Sequence, residues 1–312
     1  MTPAAGSLNG LRARFALDRP RAGRRFAAWG MVVPLVAGLT VFTVYPFIYL
    51  ALLSFSDSNL GTPFRGWVGF ENFGEAFGEP RFTGSLGRSA AYALLTTAVS
   101  MVLGFAVALL MDRAVRGRAL MRTLILLPLM TPPVTVGVIW QLLLMPKGGW
   151  LNGFLNWLGV IGEPVSFLGS PSFAFPFVCL ADVWQWTPFV ALMVYAALQT
   201  LPGEIYEAAR LDGASGWRRV WHITLPMLAP ALIAIALLKL IIAFKVFDLV
   251  FVLTGGGPGQ ATTVSSFYIY RVAIQQFDIG LAAAQTLVFA AVVGLITLPF
   301  TLAHGRAERR LA

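Results

Sequence analysis

Ionisable side chains interrupt two long apolar runs of this sequence, at Asp182, Lys239, Lys245 and Asp248. A charged group inside an apolar run is costly unless it is paired or hydrated, so Asp182 is a candidate functional residue. An interhelical ion pair is the alternative explanation for it. Lys245 and Asp248 are three residues apart, which would let them pair on one helix. Two buried lysines could also bind an anionic substrate, but we favour a structural or gating ion network that includes Asp182.

Aromatic side chains accompany this acid. Trp184 and Trp186 follow Asp182 within the same apolar run. They could form a membrane-interface belt or a stacking face for sugar rings. Packing in the protein core explains either tryptophan equally well.

Other kinds of chemistry have little support in the sequence. Cys179 is the only cysteine, so no disulfide can form within the chain. His222 and His304 are the only histidines and lie too far apart in sequence for a histidine-based metal site. The chain has no G-x-x-x-x-G-K-[ST] phosphate loop. We therefore expect no metal and no cofactor in this chain, and any ATP that powers it would bind another chain.

The elements that carry these residues are predicted to cross a membrane. The chain has 312 residues, of which 57% are hydrophobic and 12% charged, whereas soluble proteins carry about 25% charged residues. A helix needs about 20 apolar residues to span a bilayer. Six segments meet this length: 28–54, 89–111, 121–145, 173–200, 227–253 and 280–303. The sequence predicts an all-α integral membrane protein.

The basic residues predict the orientation of these spans. With the N-terminus inside, sixteen of the 23 lysines and arginines fall in cytoplasmic segments and five in outside segments. Such a bias is typical of multi-pass membrane proteins, and it explains a net charge of +9 without nucleic-acid binding. We expect a basic cytoplasmic tail at 1–27, a transmembrane domain at 28–303 and a second cytoplasmic tail at 304–312.

The third predicted span contains Pro128, Pro132 and Pro133, which would break or bend its helix. Broken helices often line the pathway of a transporter. Kinks that serve only helix packing are the alternative.

A polar, basic island at 201–226 separates the fourth and fifth spans. Pro202 suits a first helical position. Gly213 can adopt the left-handed conformation that ends a helix, and Ser215 can cap the next one. The island therefore reads as a compact cytoplasmic helix-turn-helix that a soluble partner could bind.

The island also resembles a known signature, the E-A-A-x-x-x-G of the membrane subunits of bacterial ABC importers. The fuller form, E-A-A-x-x-D-G-A followed by I-x-L-P, is similar to that of the sugar-importer branch. The matching residues are Glu207, Ala208, Ala209, Asp212, Gly213, Ala214, Ile223, Leu225 and Pro226. Val220 stands where that branch often has phenylalanine. Three shorter motifs of the branch occur in its order, G-F-x-N-F at 69–73, G-W-L-N at 149–152 and L-T-G-G-G-P at 253–258.

This resemblance implies a type I importer permease that carries a sugar of the maltose or trehalose type across the bacterial inner membrane by alternating access. It implies a second permease, two ATPase subunits that hold ATP and magnesium, and an extracytoplasmic solute-binding protein. The ATPase would contact the island through Glu207, Ala208, Ala209, Arg210, Asp212, Gly213, Ala214, Ile223, Leu225 and Pro226. An outside turn for the binding protein is expected at Gly255, Gly256, Gly257 and Pro258. The substrate-pathway candidates, on the fourth and fifth spans, are Asp182, Trp186, Thr187, Lys239, Ala243, Val246 and Asp248.

Three other functions compete with this interpretation. The same machinery could import a polyol, glycerol or glycerol phosphate, because the island reports on coupling and not on cargo. A secondary transporter driven by protons or sodium would be expected to show repeated halves, and the sequence shows none. A membrane-bound enzyme would need a catalytic cluster, for which the few ionisable residues inside the spans give little support.

Overall fold

The computed structural model describes residues 21–113 and 118–311, and the chain divides into two units, Met1–Leu53 and Ser54–Ala312. The first unit is helical throughout its described part, with α1 (Arg21–Leu39), a π-helical turn (Thr40–Val44) and α2 (Tyr45–Ser54). Of the predicted tail at 1–27, residues 1–20 lie outside the described residues. From Arg21 the chain is helical, so this helix starts earlier than the predicted span. Most of the apolar side chains from Val32 to Leu52 are exposed, as expected of a surface that faces lipid.

The second unit contains a short hairpin and twelve helices in its described part. The hairpin strands are β1 (Ser56–Asn59) and β2 (Thr62–Trp67). The helices before the island are α3 (Glu71–Gly78), α4 (Pro80–Arg113), α5 (Arg118–Met130), α6 (Pro133–Leu143), α7 (Trp150–Trp157) and α8 (Pro171–Leu198). Those within and after it are α9 (Gly203–Leu211), α10 (Gly216–Arg219), α11 (Leu225–Phe244), α12 (Asp248–Leu253), α13 (Ser265–Tyr270) and α14 (Ile279–Leu311). Two π-helical turns, Val220–Thr224 and Arg271–Gln275, precede α11 and α14.

Five helices of the described chain are long and apolar enough to cross a membrane: Val32–Ser54, Pro80–Asp112, Pro171–Leu198, Gly216–Phe244 and Ile279–Ala307. A sixth candidate is a pair of shorter helices, Thr123–Met130 and Pro133–Leu143, bent by 99°. The described chain therefore has five or six candidate spans, in agreement with the predicted class of a helical membrane protein. The small antiparallel hairpin was not predicted.

The third predicted span, 121–145, is not one continuous helix. It breaks at Thr131 and Pro132, where Pro132 adopts an extended backbone and has no N–H for a helical hydrogen bond. The freed carbonyl of Leu127 accepts a hydrogen bond from Thr131 Oγ1 at 2.9 Å. The prolines in this run thus mark a sharp turn of the chain.

The fifth predicted span, 227–253, also differs in the structure. Its helix ends at Phe244, and a new helix, α12, begins at Asp248. At the other end the helix continues backwards through the π-helical turn into α10, so that Gly216–Phe244 forms one candidate span. The second helix of the predicted helix-turn-helix is therefore the start of a membrane helix.

Close backbone approach holds these helices together. A Cβ at Gly104 of α4 would lie 2.6 Å from the side chain of Val190 of α8, so only glycine permits this contact. Likewise, a Cβ at Gly137 of α6 would lie 2.8 Å from the side chain of Val252 of α12. Small residues allow such tight helix packing in membranes. The two short helices that follow the breaks, α6 and α12, are thereby packed against each other.

Candidate functional site

A buried ion pair joins α8 and α11. Lys239 Nζ donates to Asp182 Oδ1 at 2.6 Å, and the two side chains are 0% and 3% exposed. Each charge compensates the other, which lowers the cost of placing either in an apolar environment. The interhelical ion pair that the sequence allowed for Asp182 is therefore present.

A cavity of about 240 Å³ lies beside this pair. Its walls come from α8, from the start of α6 and from the break between α11 and α12. The lining residues are Pro133, Asp182, Gln185, Trp186, Ile242, Lys245, Val246, Phe247, Asp248 and Leu249. Both broken helices thus contribute to one concave, partly polar site.

Lys245 and Asp248 do not share a helix, which corrects the spacing argument made from the sequence. The chain is non-helical between Phe244 and Asp248. Both side chains are exposed and line the cavity, and in the described part of the chain no ion pair within 4.0 Å joins them. The cavity wall therefore carries one cation and one anion that are both free to meet a ligand.

The structure brings together four of the seven substrate-pathway candidates, since Asp182, Trp186, Val246 and Asp248 line the cavity. The other three do not line it. Lys239 lies behind Asp182, and Ala243 is buried in an apolar cluster. Thr187 is half-buried, and its hydroxyl oxygen finds no hydrogen-bond partner among the described residues.

Gln185 is a cavity residue that the sequence reading missed. Its amide nitrogen donates to the carbonyl of Thr131 at 3.1 Å, at the bend before α6. Its amide oxygen is buried without a partner among the described residues and belongs to a side chain that lines the cavity. A polar amide beside two tryptophans was the available signal. Gln185 therefore holds the bend of the broken helix through its amide nitrogen. Its amide oxygen is left as a hydrogen-bond acceptor beside the cavity.

The island at 201–226, here called the coupling loop, has the glycine turn and the serine cap that the sequence predicts. Gly213 has a φ of +71°, and the next N–H, of Ala214, bonds back to the carbonyl of Ala209 at 2.9 Å. The hydroxyl of Ser215 accepts from the N–H of Arg218 at 3.3 Å and caps α10. Pro202 occupies the position before the first helical residue and not the first helical position itself.

Most of the polar signature residues on this loop face outwards. Glu207, Arg210 and Asp212 are exposed, whereas Ala209 is buried against the rest of the chain. The exposed apolar side chain of Leu211, at 90%, stands among them. The other signature residues divide into exposed Ala208, Gly213 and Pro226 and half-buried Ala214, Ile223 and Leu225. These exposed residues combine charged side chains with one large apolar side chain, a combination that suits contact with a protein partner.

The turn after α12 is tied down by its threonines. The hydroxyls of Thr254 and Thr262 are 2.7 Å apart, and Thr263 Oγ1 donates to the carbonyl of Gly256 at 2.8 Å. Arg88 of α4 donates through Nε to the carbonyl of Thr263 at 2.8 Å. Gly255 is exposed, Gly257 and Pro258 are half-buried, and Gly256 is buried. Gly256 therefore serves the folding of the turn, and the other three are accessible for contact.

No set of three His, Cys, Asp or Glu side chains within residues 21–113 and 118–311 is grouped to hold a metal ion.

Comparison with known proteins shows the family to which the chain belongs. A family model described as the inner membrane component of binding-protein-dependent transport systems matches residues 100–312. The chain belongs to this family. It is thus a multi-pass membrane subunit of a transport system.

Individual relatives of this inner-membrane component extend the match over nearly the whole chain. The trehalose/maltose transport system permease protein MalF of Thermococcus litoralis is 34% identical over 280 residues, which cover 89% of this chain and 92% of the relative. The sulfoquinovosyl glycerol transport system permease protein SmoG of Agrobacterium fabrum is 33% identical, covering 88% and 89%. Among solved structures, a bacterial ABC transporter involved in the import of the acidic polysaccharide alginate superposes with a TM-score of 0.80 at 25% identity, covering 92% of this chain and 96% of that one.

Proposed function

We propose that the chain is the permease subunit of an ATP-driven importer and forms part of the pathway for a sugar, of the di- or oligosaccharide class, across the bacterial inner membrane. The observation that carries this proposal is the placement of the cavity. It lies on α8 and α11, the two helices that the coupling loop connects. The names of the related trehalose/maltose and sulfoquinovosyl glycerol permeases support the sugar class.

The coupling loop is the proposed contact with an ATPase subunit, which would hold ATP and magnesium. Glu207 and Arg210 are exposed and can form charge-assisted hydrogen bonds with that subunit, and Leu211 can fill an apolar recess. A second permease would complete the cavity, because 240 Å³ is smaller than the range of about 300–1,000 Å³ usual for ligand pockets. A binding protein would deliver cargo to the turn at 255–258.

In this mechanism the chain performs no chemistry of its own. ATP binding would close the ATPase dimer and draw the coupling loop with it. α8 and α11 would rock, and the cavity would change from inward-facing to outward-facing. Cargo released from the binding protein would then enter it, and ATP hydrolysis would restore the first state. Both termini and the coupling loop are proposed to be cytoplasmic, as the distribution of basic residues predicts.

A second cargo class has a specific observation in its favour. Lys245 is an exposed cation on the cavity wall, and it could bind an anionic group on a sugar, a polyol or a glycerol phosphate. The nearby Asp248 would oppose such an anion unless it turned away. A neutral sugar therefore remains the main proposal, with a polyol, glycerol or glycerol phosphate as the alternative cargo. Lys245 is the residue that separates neutral from anionic cargo.

The proposal is tested by purifying the tagged chain in a gentle detergent from its native cells and identifying the chains that come with it. We expect an ATPase, a second permease and a binding protein. A chain that comes out alone, or only with itself, under conditions that preserve known importer complexes would contradict the proposal and would favour an ion-coupled secondary transporter. A recovered binding protein can then be screened against neutral and anionic sugars by thermal shift, which identifies the cargo.

A further inference from the structure

The pair of Asp182 and Lys239 connects the two helices that flank the coupling loop, at the level of the cavity. α8 runs into the loop and α11 runs out of it. We propose that this ion pair is a positioning device: it holds α8 and α11 in one register and fixes Trp186 at the cavity wall, so that a movement of the coupling loop reaches the cargo. This inference rests on the proposed function.

The distance to be bridged makes such a device necessary. At about 1.5 Å per residue, Asp182 lies about 24 Å from the loop end of α8, and Lys239 lies about 21 Å from the start of α11. The pair is therefore remote from any contact that a partner makes with the loop. A displacement at the loop changes the cavity only if both helices keep their relative register over this length.

Apolar side chains pack the two helices together between these levels. Val194 of α8 and Leu228 and Ile235 of α11 lie in one buried apolar cluster on the loop side of the pair. Apolar contacts are not directional, so they resist separation of two helices more than sliding. A hydrogen-bonded ion pair has a defined geometry and is lost when the helices slide. The pair of Asp182 and Lys239 thus adds a directional constraint to these apolar contacts.

Lys239 also contacts the cavity wall through an aromatic ring. Its Nζ lies 5.9 Å from the ring centroid of Trp186, within the range of a cation–π contact. Trp186 follows Asp182 by one helical turn, so both lie on the same face of α8, and both line the cavity. One ammonium group therefore positions two cavity side chains.

The alternative role for Lys239, direct binding of anionic cargo, does not fit its surroundings. Its side chain is 0% exposed, its ammonium group already bonds to a carboxylate, and it does not line the cavity. Lys245, which is exposed and lines the cavity, is the cation that cargo can reach. Lys239 is thus a positioning residue and not a binding residue.

The test uses the complete importer, purified with its ATPase and second permease and reconstituted with its binding protein. Two double variants remove the charges together, so that neither ion is left unpaired: Asp182→Leu with Lys239→Met, and Asp182→Asn with Lys239→Gln. A third exchanges the charges, Asp182→Lys with Lys239→Asp. The matched control is Leu238→Met, which changes an exposed side chain next to Lys239 on α11, outside the cavity, and leaves the pair intact. The readouts are the yield of assembled complex, the rate of ATP hydrolysis and the amount of cargo moved per ATP.

We expect the neutral double variants to assemble, because apolar or neutral groups of similar size replace buried pairs with little loss. Cargo moved per ATP should fall about tenfold, which is within the usual range of coupling between two sites, while ATP hydrolysis continues. The exchanged pair should recover most of that loss, and Leu238→Met should keep the wild-type ratio of cargo moved per ATP.

Two results would overturn the inference. A neutral pair that moves as much cargo per ATP as the wild type would show that the ions serve packing only. Failure of both neutral pairs to assemble would show that they serve folding. The proposed function is judged separately, since its failure would appear as a wild-type complex without ATPase or without uptake.

Discussion

The two ends of α8 and α11 are built in opposite ways. At the cavity end, two charges 57 residues apart in sequence meet out of contact with solvent. At the loop end, the chain turns through contacts between near neighbours, such as Ala214 with Ala209 and Ser215 with Arg218, and its charged side chains are exposed. Long-range packing therefore specifies the cavity end, and local backbone chemistry specifies the loop end.

This difference predicts different consequences of mutation. Loss of one buried charge at the cavity end disturbs helices that pack on one another, so stability and transport should fall together. A change at the loop end disturbs an exposed turn, so coupling to a partner should fall while the membrane helices remain folded. Four substitutions test this division, and they are ordered here from the largest expected effect to the smallest.

Removing one partner of the ion pair should have the largest effect. Asp182→Ala leaves the fully buried Lys239 without its carboxylate, and an uncompensated buried charge costs about 3–5 kcal/mol. Thermal unfolding of the purified complex in detergent should show a large drop in Tm. Asp248→Ala, which removes an exposed carboxylate from the same cavity, is the control. Equal stability of the two variants would contradict the role of the pair.

Gly213→Ala should affect the loop end more mildly. Gly213 has a φ of +71°, and nothing lies within 4 Å of an added Cβ, so backbone strain is the only cost. That cost is about 1–2 kcal/mol for a residue that avoids the left-handed region. Transport should fall, while the Tm of the membrane helices stays close to that of the wild type.

The matched variant is Gly213→Asn, because asparagine tolerates the left-handed conformation. It should retain most of the transport activity. If both variants transport like the wild type, the conformation of this turn does not matter for coupling.

Ser215→Ala removes the cap of α10 and should have a smaller effect. The hydrogen bond is long, at 3.3 Å, so we expect about 0.5 kcal/mol, the low end for loss of a cap. Faster hydrogen exchange of the amides at 216–219 would report it. Ser215→Asp, which can cap the same helix, should restore protection. Unchanged exchange in Ser215→Ala would show that the cap contributes nothing here.

The smallest effect is expected for Lys245→Gln with neutral cargo. Lys245 is exposed and forms no ion pair within the described residues, so uptake of a neutral sugar should change within about twofold, as for surface substitutions worth up to about 0.5 kcal/mol. Uptake of an anionic sugar should fall more. Equal effects on neutral and anionic cargo, measured in competition, would rule out Lys245 as the residue that separates them.

The same division explains what the sequence could predict. The coupling loop was read well because Gly213 and Ser215 act on their own neighbours, and those effects are visible in a few residues of sequence. The bend before α6 was also signalled, by Pro132. Two features of the loop were wrong: Pro202 lies one residue before the predicted position, and the second helix continues into the membrane helix α11.

The cavity end could be read only in part. The sequence marked Asp182 and Lys239 as costly, but their pairing depends on how α8 packs against α11, which no local pattern contains. The break between Phe244 and Asp248 has neither proline nor glycine, so the run looked like one helix. Gln185 was missed for the same reason, because its partner, the carbonyl of Thr131, is exposed for bonding only once α5 and α6 have separated.

The π-helical turn at Val220–Thr224 sets the direction in which the coupling loop faces. The N–H of Leu225 bonds to the carbonyl of Val220, five residues back, so this turn holds one residue more than an α-helical turn. One extra residue rotates everything before it by about 100° around the axis of α11. This single inserted residue therefore sets the direction in which Leu211 and Glu207 face relative to the cavity. Shortening the turn by one residue would keep every side chain of α9 and α10 and yet rotate both helices by about 100° around the axis of α11.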